Sequence, residues 1–248
     1  MRDCIIIIPT YNEKENIAKI IPYTLNLSDR FEILVIEDGS PDGTADVVKA
    51  MMQQFPERVH IIERTGKQGL GTAYITGFKW SLEKSYNYIF EMDADFSHPP
   101  EKLIELLDAC ENKGAYLSVG SRYVKGGSVV NWPKNRLFLS YFASKYVRIV
   151  TGMRIKDTTA GFVWYRRETL QTIDLEKIKF LGYAFQIEMK FAVWLAGLKI
   201  VEVPIVFKDR EVGISKMSGN IIEEAVVGVL SMKIQSLKDK YFKKKKKK

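Results

Sequence analysis

Short apolar runs that alternate with helical stretches constrain the fold of this 248-residue chain most strongly. Each run is almost continuously apolar, which is typical of strands that are covered by helices on both faces. The segments 13–25 and 42–55, which lie between runs, carry apolar residues at helical spacing. The first half therefore predicts an α/β fold with a parallel sheet built from βαβ units. Its predicted strands are CIIII (4–8), EILVIED (32–38), VHIIE (59–63), YIFEMD (88–93) and AYLSVGS (115–121).

The second half of the chain is less regular, but it also mixes helices and strands. From Asn220 onward, apolar residues at helical spacing indicate an amphipathic final helix, which is followed by a lysine tail. We therefore expect one folded domain over 1–219 and a C-terminal helix and tail over 220–248. The other predicted elements are helices over 135–150 and about 184–196, and strands over 161–167 and 199–207.

The net charge of +8 comes mostly from one place, because Lys243–Lys248 form an unbroken run. Without those six lysines the net charge is +2, which does not indicate a basic groove for nucleic acid. We therefore expect no nucleic-acid partner, and a tail that contacts an anionic surface. Cys4 and Cys110 lie far apart without metal-ligand spacing, which favours a reducing, cytoplasmic compartment. We predict no signal peptide, and no apolar run approaches the ~18 residues that cross a bilayer.

Acidic residues follow three of the predicted strands at the point where each strand ends. Glu13 follows the first strand, Asp38 closes the second, and Asp93 and Asp95 close the fourth. Ligands of open α/β sheets bind at the carboxyl ends of the strands, where these acids meet. Two carboxylates two positions apart can bind a divalent cation that is shared with a phosphate. Each acid could instead cap a turn or a helix, but capping alone does not explain their convergence.

Eight short motifs follow one another between residue 5 and about residue 219. They are PTYNE (9–13), VIEDGSPDGT (35–44), GKQGLGTAY (66–74), MDADFSHPPEKL (92–103), GSRYVKGG (120–127), NWPKNR (131–136), DTTAGF (157–162) and FKDREVGISKMS (207–218). In this order they resemble the family 2 glycosyltransferases, and within them the polyprenyl-phosphate (dolichol-phosphate) mannose synthases. The resemblance implies that the domain over 1–219 is catalytic and has a GT-A fold, a mixed, mainly parallel sheet flanked by helices.

For the donor, the resemblance implies GDP-mannose and a divalent cation, Mg²⁺ or Mn²⁺. Asp95 would be the main metal ligand, and Asp93 and Ala94 would lie at the diphosphate and sugar. Ser97 stands where the family often has a glutamine ligand, and its hydroxyl is a poorer ligand. The nucleoside contacts would come from Pro9, Tyr11, Glu13, Ile36 and Asp38, and Lys216 would reach a phosphate.

For the acceptor, the resemblance implies a polyprenyl monophosphate and a reaction that inverts the anomeric centre and releases GDP. Guanidinium groups match phosphate oxygens bidentately, which suits an arginine cluster at the acceptor phosphate. Because the acceptor is itself an anion, no strong general base is needed. His98 is then either an acid–base group or part of the turn before the next helix. The implied acceptor contacts are Arg122, Arg136, Ser140 and Arg210, and these three arginines with Asp93 and Asp95 form the implied catalytic set.

A lipid acceptor also requires contact with a membrane. The last helix and the lysine tail resemble a peripheral anchor on the cytoplasmic face, with lysines on anionic headgroups. Aromatic and basic residues over 138–148 could form a second contact. Core packing is the alternative for the aromatic residues there and for the apolar residues over 222–230. A separate membrane subunit is a further alternative.

Two rival functions stay open at this point. A polyprenyl-phosphate glucose synthase that uses UDP-glucose would have the same fold and the same motif spacing. A nucleotide-binding regulatory module without turnover would keep the donor residues, but it would not need the arginines of an acceptor-phosphate cluster.

Overall fold

A computed structural model of the chain describes residues 2–182, 184–209 and 220–245, with the side chains of the last helix described from Val226 to Lys238. The strands are β1 (Cys4–Thr10), β2 (Phe31–Glu37), β3 (Val59–Glu63), β4 (Tyr88–Glu91), β5 (Leu117–Ser121), β6 (Ser128–Val130), β7 (Val163–Arg166), β8 (Ile200–Pro204) and β9 (Val206–Lys208). The helices are α1 (Lys14–Leu27), α2 (Thr44–Gln54), α3 (Leu70–Leu82), α4 (Leu103–Glu111), α5 (Lys134–Thr151), α6 (Arg167–Thr172), α7 (Ala184–Leu195) and α8 (Asn220–Lys245).

Seven strands form the main sheet, in the order β3-β2-β1-β4-β7-β5-β8. Only β7 runs antiparallel to its neighbours within this sheet. The predicted parallel arrangement of the first half is confirmed for β1 to β4. The sequence did not indicate that β7, from the second half, inserts between β4 and β5.

Both faces of the central strands are covered, as their continuous apolar runs predict. Ile6 and Ile8 of β1 pack with residues of α1, α2 and α4, whereas Ile5 and Ile7 pack with residues of α3 and α7. Gly77 of α3 lies so close to the sheet that a Cβ atom there would come within 2.8 Å of the Ile7 side chain. The sheet is therefore the middle of three tightly packed layers, and charged groups fit most readily at the strand ends.

The predicted strand over 199–207 is broken at Ile205 into β8 and β9. β8 stays in the main sheet, whereas β9 leaves it and pairs in parallel with β6. The backbone N–H of Asp209, just after β9, donates to the Val130 carbonyl of β6 at 3.2 Å. This small sheet brings the segment after β9 next to the segment that leads into α5.

The final helix α8 packs on α5 and α7 through one of its sides. Val229 and Met232 are buried there in a cluster with Val147 and Phe191. The apolar residues of α8 are therefore only partly buried, because others of them are exposed to solvent. Those exposed residues are Val226, Val227, Leu230, Ile234 and Leu237, whereas the side chains of Ile222 and Tyr241 lie outside the described residues. In the described ranges, no helix combines the length and the apolar character needed to cross a membrane.

Arginine side chains close three helix C-termini at the edge of the sheet where the parallel strands begin. Arg58 donates to the Leu25 carbonyl of α1, and Arg166 donates to the Cys110 carbonyl of α4. Arg167 donates to carbonyls at and after the end of α3, among them Lys84 at 2.7 Å. The last carbonyls of a helix lack partners within the helix, and a nearby cation also interacts favourably with the helix dipole. These arginines therefore fasten helices from the first half to strands of the sheet.

We expect Arg167→Met to lower the free energy of unfolding by about 3 kcal/mol, because several carbonyl groups lose a charged hydrogen-bond donor. Urea unfolding followed by circular dichroism measures the change. Arg154→Met, at an exposed arginine, is the matched control and should change stability by less than about 0.5 kcal/mol. Equal stability losses in the two variants would contradict this role of Arg167.

Candidate active site at the carboxyl edge of the sheet

The carboxyl ends of β1, β2 and β4 lie side by side at one edge of the sheet. Thr10 of β1 is paired in register with Glu37 of β2, and Ile7 of β1 is paired with Glu91 of β4. The loops that follow these strands therefore meet. They carry Tyr11, Glu13, Asp38, Asp93, Ala94, Asp95 and Ser97, while Pro9 and Ile36 lie within the strands and are paired with each other.

The loops after β1 and β2 are joined by hydrogen bonds. The Asn12 N–H donates to Ser40 Oγ at 3.0 Å, and the Glu13 N–H donates to Thr44 Oγ1 at 3.1 Å. Asn12 has a φ of 55°, a left-handed conformation that asparagine tolerates better than most residues. The Glu13 carboxylate accepts from Asn16 Nδ2 at 2.8 Å. These hydrogen bonds hold the two loops together as one surface, on which the nucleoside is predicted to bind.

Asp38 has a positive partner in the protein itself. Arg64, which follows β3, donates from Nε and Nη2 to the two Asp38 carboxylate oxygens at 2.6 and 2.7 Å. Arg64 Nη1 also donates to Thr72 Oγ1 of α3 at 2.8 Å. Because Arg64 neutralises the Asp38 carboxylate, no bound metal ion is needed at Asp38. This bidentate ion pair instead fixes the Asp38 carboxylate beside the strand end.

The loop between β3 and α3 reaches the same edge. Gly69 has a φ of 97°, and α3 begins directly after it. The Lys67 ammonium lies 3.8 Å from the centroid of the Tyr11 ring, in cation–π contact. Lys67 is therefore part of the surface on which the nucleoside is predicted to bind.

The segment from Asp93 to His98 forms a tight turn at the end of β4. Asp95 Oδ1 accepts from the Ser97 N–H at 3.1 Å, and Phe96 between them has a φ of 59°. His98 is buried and its Nδ1 accepts from the Asp93 N–H at 3.1 Å. Burial lowers the pKa of His98 well below its usual value, so the ring is neutral and carries its proton on Nε2. His98 thus holds the turn that precedes the next helix, as in the second of the two roles expected from the sequence.

The donor set of this turn fits a cation that is shared with a substrate. The Asp93 side chain is 42% exposed, whereas Asp95 and Ser97 are buried. Residues 2–182, 184–209 and 220–245 contain no group of three or more His, Cys, Asp or Glu side chains placed to hold a metal by themselves. Mg²⁺ and Mn²⁺ commonly take one or two carboxylates and complete their coordination with phosphate and water. Asp93 and Asp95 suit that arrangement.

A buried polar network lies directly beneath the turn. Glu91 is fully buried and accepts from Tyr165 Oη at 3.0 Å and from Gln186 Nε2. Lys190 of α7 donates to the carbonyls of Ala160 and Gln186, at 2.5 and 3.0 Å. Burial raises the pKa of Glu91 and lowers that of Lys190, since burial disfavours the charged form of each. The network ties the end of β4 to α7 and to the loop before β7.

Arg122 follows β5 and is held by a buried carboxylate. Its Nε and Nη2 each donate to one Asp157 oxygen at 2.7 Å, and its backbone N–H donates to the same carboxylate at 2.9 Å. Burial by itself would raise the pKa of Asp157. The attraction of the Arg122 guanidinium is larger, so the pKa of Asp157 lies below its usual value. The guanidinium lies between 5.2 and 5.5 Å from the ring centroids of Tyr123, Trp132 and Phe207. It is thereby fixed near the carboxyl edge of the sheet.

Arg136, in the first turn of α5, lies beside Arg122 across one aromatic ring. Its Nη1 donates to the Asp209 carboxylate at 3.0 and 3.2 Å, and its guanidinium carbon lies 4.1 Å from the Trp132 centroid. Ser140, one turn later, accepts from Tyr123 Oη at 2.8 Å. Arg122, Arg136 and Ser140 are thus brought together as predicted, whereas Arg210 and Lys216 lie outside the described residues.

Several residues that organise the site were not identified from the sequence. Asp157 and Asp209 pair with the two arginines, and Arg64 pairs with Asp38. Trp132 is in cation–π contact with both arginines of the acceptor set. Asp157 opens the motif DTTAGF, and Asp209 lies in the motif FKDREVGISKMS. Both acids were therefore visible within motifs, but nothing in the sequence marked them as partners of arginines. A single sequence does not reveal which distant acid neutralises which arginine.

Comparison with known proteins identifies the relatives of the chain. Residues 5–174 match the family described as glycosyl transferase family 2. The polyprenol monophosphomannose synthase of Mycolicibacterium smegmatis is 48% identical over 95% of this chain and 89% of its own length. The undecaprenyl-phosphate mannosyltransferase of Micrococcus luteus is 48% identical over 90% of each chain. The dolichol-phosphate mannosyltransferase of Pyrococcus furiosus is 39% identical over 88% of this chain and 60% of its own length.

Solved structures support the fold. Glucosyl-3-phosphoglycerate synthase from Mycobacterium tuberculosis, crystallised with Mn²⁺, uridine diphosphate and phosphoglyceric acid, superposes with a TM-score of 0.71. The two sequences are 16% identical, and the superposition covers 94% of this chain and 78% of that one. The predicted GT-A fold is thereby confirmed. On the family match and the identity to its relatives, this chain belongs to glycosyl transferase family 2, and it is a glycosyltransferase rather than a binding module without turnover.

Proposed function

We propose that this enzyme transfers mannose from GDP-mannose to a polyprenyl monophosphate, with inversion at the anomeric carbon, and releases GDP. The observation that carries the proposal is the two-sided site at one sheet edge. Asp93 and Asp95 lie in the turn after β4, whereas Arg122 directly follows β5 and contacts the same Trp132 ring as Arg136. The names of the three curated relatives, which describe mannose transfer to polyprenyl or dolichyl phosphates, support this choice of substrates.

On the donor side, the loops after β1 and β2 would bind the nucleoside, and the turn after β4 would bind the diphosphate. Pro9, Tyr11, Glu13, Ile36 and Asp38 are the proposed nucleoside contacts, and Asp93, Ala94 and Asp95 the proposed contacts to diphosphate and sugar. Lys216 keeps its proposed role at a phosphate. Mg²⁺ or Mn²⁺ at Asp95, with Ser97 as a candidate further ligand, would offset negative charge on the diphosphate leaving group.

On the acceptor side, Arg122 and Arg136 would hold the phosphate monoester, together with Ser140 and Arg210. The first turn of α5 contains Lys134 and Arg136 and no acidic residue, so it joins two cations to the positive end of a helix. An acceptor phosphate oxygen would form the new bond to the anomeric carbon while the bond to GDP breaks and its electron pair leaves with GDP. The arginines position this attack, and the ionised acceptor needs no general base.

We also propose that the enzyme binds the cytoplasmic face of an anionic membrane as a peripheral protein. On α5, Phe138, Tyr141 and Phe142 are 65%, 50% and 43% exposed, so core packing does not account for these aromatic residues. Lys145 and Arg148 lie on the same helix, and exposed apolar residues of α8 lie on a helix packed against it. Apolar side chains beside basic ones are typical of surfaces that bind lipid headgroups. A membrane subunit that covers these helices is the alternative partner.

The direct test of the proposed reaction measures transfer of labelled sugar to a short polyprenyl phosphate. We expect labelling from GDP-mannose that requires Mg²⁺ or Mn²⁺ and stops with EDTA. Parallel reactions contain UDP-glucose and UDP-N-acetylglucosamine. Labelling from UDP-glucose alone would make the enzyme a polyprenyl-phosphate glucose synthase and would contradict the proposed donor.

Asp95→Asn tests the proposed metal ligand without removing the hydrogen-bond acceptor for the Ser97 N–H. We expect turnover to fall about 100-fold or more, because the leaving diphosphate loses a stabilising cation. Asp95→Ala should be at least as inactive. Asp29→Asn, at a fully exposed aspartate, is the control that should keep its activity. An Asp95→Asn enzyme with wild-type turnover and wild-type Mn²⁺ affinity in the presence of GDP would refute the assignment.

Deletion of residues 243–248 tests the lysine tail, of which residues 246–248 and all the side chains lie outside the described residues. We expect weaker binding to vesicles that contain anionic lipid, since each lysine near such a surface contributes about 1 kcal/mol before screening. Binding to neutral vesicles and turnover on a detergent-soluble acceptor should not change. Vesicle sedimentation measures the affinities. Unchanged binding to anionic vesicles would refute the proposed role of the tail in membrane binding.

A further inference from the structure

Trp132 occupies the centre of the proposed acceptor side. Its ring centroid lies 4.1 Å from the Arg136 guanidinium carbon and 5.4 Å from that of Arg122. Phe207 packs on the same ring at 5.2 Å between centroids, with the planes 69° apart. One indole therefore contacts both arginines that are proposed to bind the acceptor phosphate, as well as the small sheet formed by β6 and β9.

The backbone around Trp132 is held in a defined conformation. Asn131 before it has a φ of 65°, which only a minority of non-glycine residues adopt. Pro133 after it has its φ fixed by the ring and immediately precedes the first residue of α5. A conformation of this kind has an energetic cost, and such costs are concentrated at functional positions. The indole is thus presented to the two guanidiniums by a short segment with little conformational freedom.

Two buried N–H groups at this place lack an acceptor. Trp132 Nε1 and Arg136 Nε are buried, and no hydrogen-bond acceptor for either lies within the part of the chain that the structure describes. A buried donor without a partner costs about 1–3 kcal/mol, so nearly all such groups in proteins are paired. Both groups can only donate, and they belong to side chains in direct contact. Each group therefore requires an acceptor from outside the described part of the chain, and a phosphate monoester offers several acceptor oxygens.

We propose that Trp132 is a contact of the acceptor phosphate: its indole N–H donates to a phosphate oxygen, while its ring holds Arg122 and Arg136 at the positions from which they bind the same group. This inference rests on the proposed function, because it requires a phosphate monoester as the acceptor. It adds a neutral donor to the arginine cluster. It also gives both guanidiniums a shared aromatic contact while each remains paired with its carboxylate.

Two substitutions separate the two roles of the residue. Trp132→Phe keeps an aromatic face and removes the N–H, so we expect the KM for a short, detergent-soluble polyprenyl phosphate to rise about tenfold. The KM for GDP-mannose should stay within twofold of the wild-type value. Trp132→Leu removes the face as well, so it should raise the acceptor KM further and also lower kcat, because the arginines lose their support. Trp80→Phe, the same change in α3 away from the arginines, is the control and should leave both KM values unchanged.

Calorimetric binding of a short isoprenyl phosphate, without donor, completes the test. We expect Trp132→Phe to bind about tenfold more weakly than the wild-type enzyme. If the wild-type enzyme transfers mannose and Trp132→Phe binds and uses the acceptor as well as wild type, the phosphate contact is refuted while the proposed function stands. If Trp132→Leu keeps a wild-type acceptor KM and kcat, the positioning role is refuted. If the wild-type enzyme neither binds nor mannosylates the isoprenyl phosphate, the proposed acceptor is wrong and this inference falls with it.

Discussion

Burial of the central strands on both faces is the constraint on which the rest of the structure depends. β1 and β2 have helices above and below them, so their interior positions are apolar, and charged groups gather where the strands end. Because β1, β2 and β4 are parallel, those ends meet at one edge. The same packing that stabilises the fold thus collects the acidic loops into one place, beside the arginine that follows β5.

Several charged side chains at this edge form ion pairs within the protein. Arg64 neutralises Asp38, Asp157 neutralises Arg122, and Asp209 neutralises Arg136. A bidentate pair fixes the direction of a side chain as well as its charge, so these partners act as supports for the site. Below them, Glu91 and Lys190 join β4, α7 and the loop before β7. Because these partners already fix the charged side chains, little rearrangement would be required for the two proposed anionic substrates to bind.

Local patterns in the sequence predicted the elements well, because strands covered on both faces and amphipathic helices leave short-range signals. The positions of β1 to β4 and their parallel direction follow from such signals. Other features depend on contacts between distant residues. The insertion of β7, the break at Ile205 and the division of apolar residues on α8 are of that kind. In the site, the motifs located the acids and arginines. The pairing of Asp157 with Arg122 and the contacts of Trp132 could not be predicted, because they depend on how distant segments fold together.

We propose that one sheet edge binds a metal-associated nucleoside diphosphate at its acidic loops and a lipid phosphate at its arginines. A crystal structure with Mn²⁺, GDP and a short polyprenyl phosphate tests it most directly, because the anomalous signal of Mn²⁺ locates the metal independently of the phosphates. We expect a Mn²⁺ peak at the Asp95 carboxylate and an acceptor phosphate in contact with Arg122, Trp132 and Arg136. A Mn²⁺ peak away from Asp95, or a lipid phosphate bound away from these arginines, would contradict it.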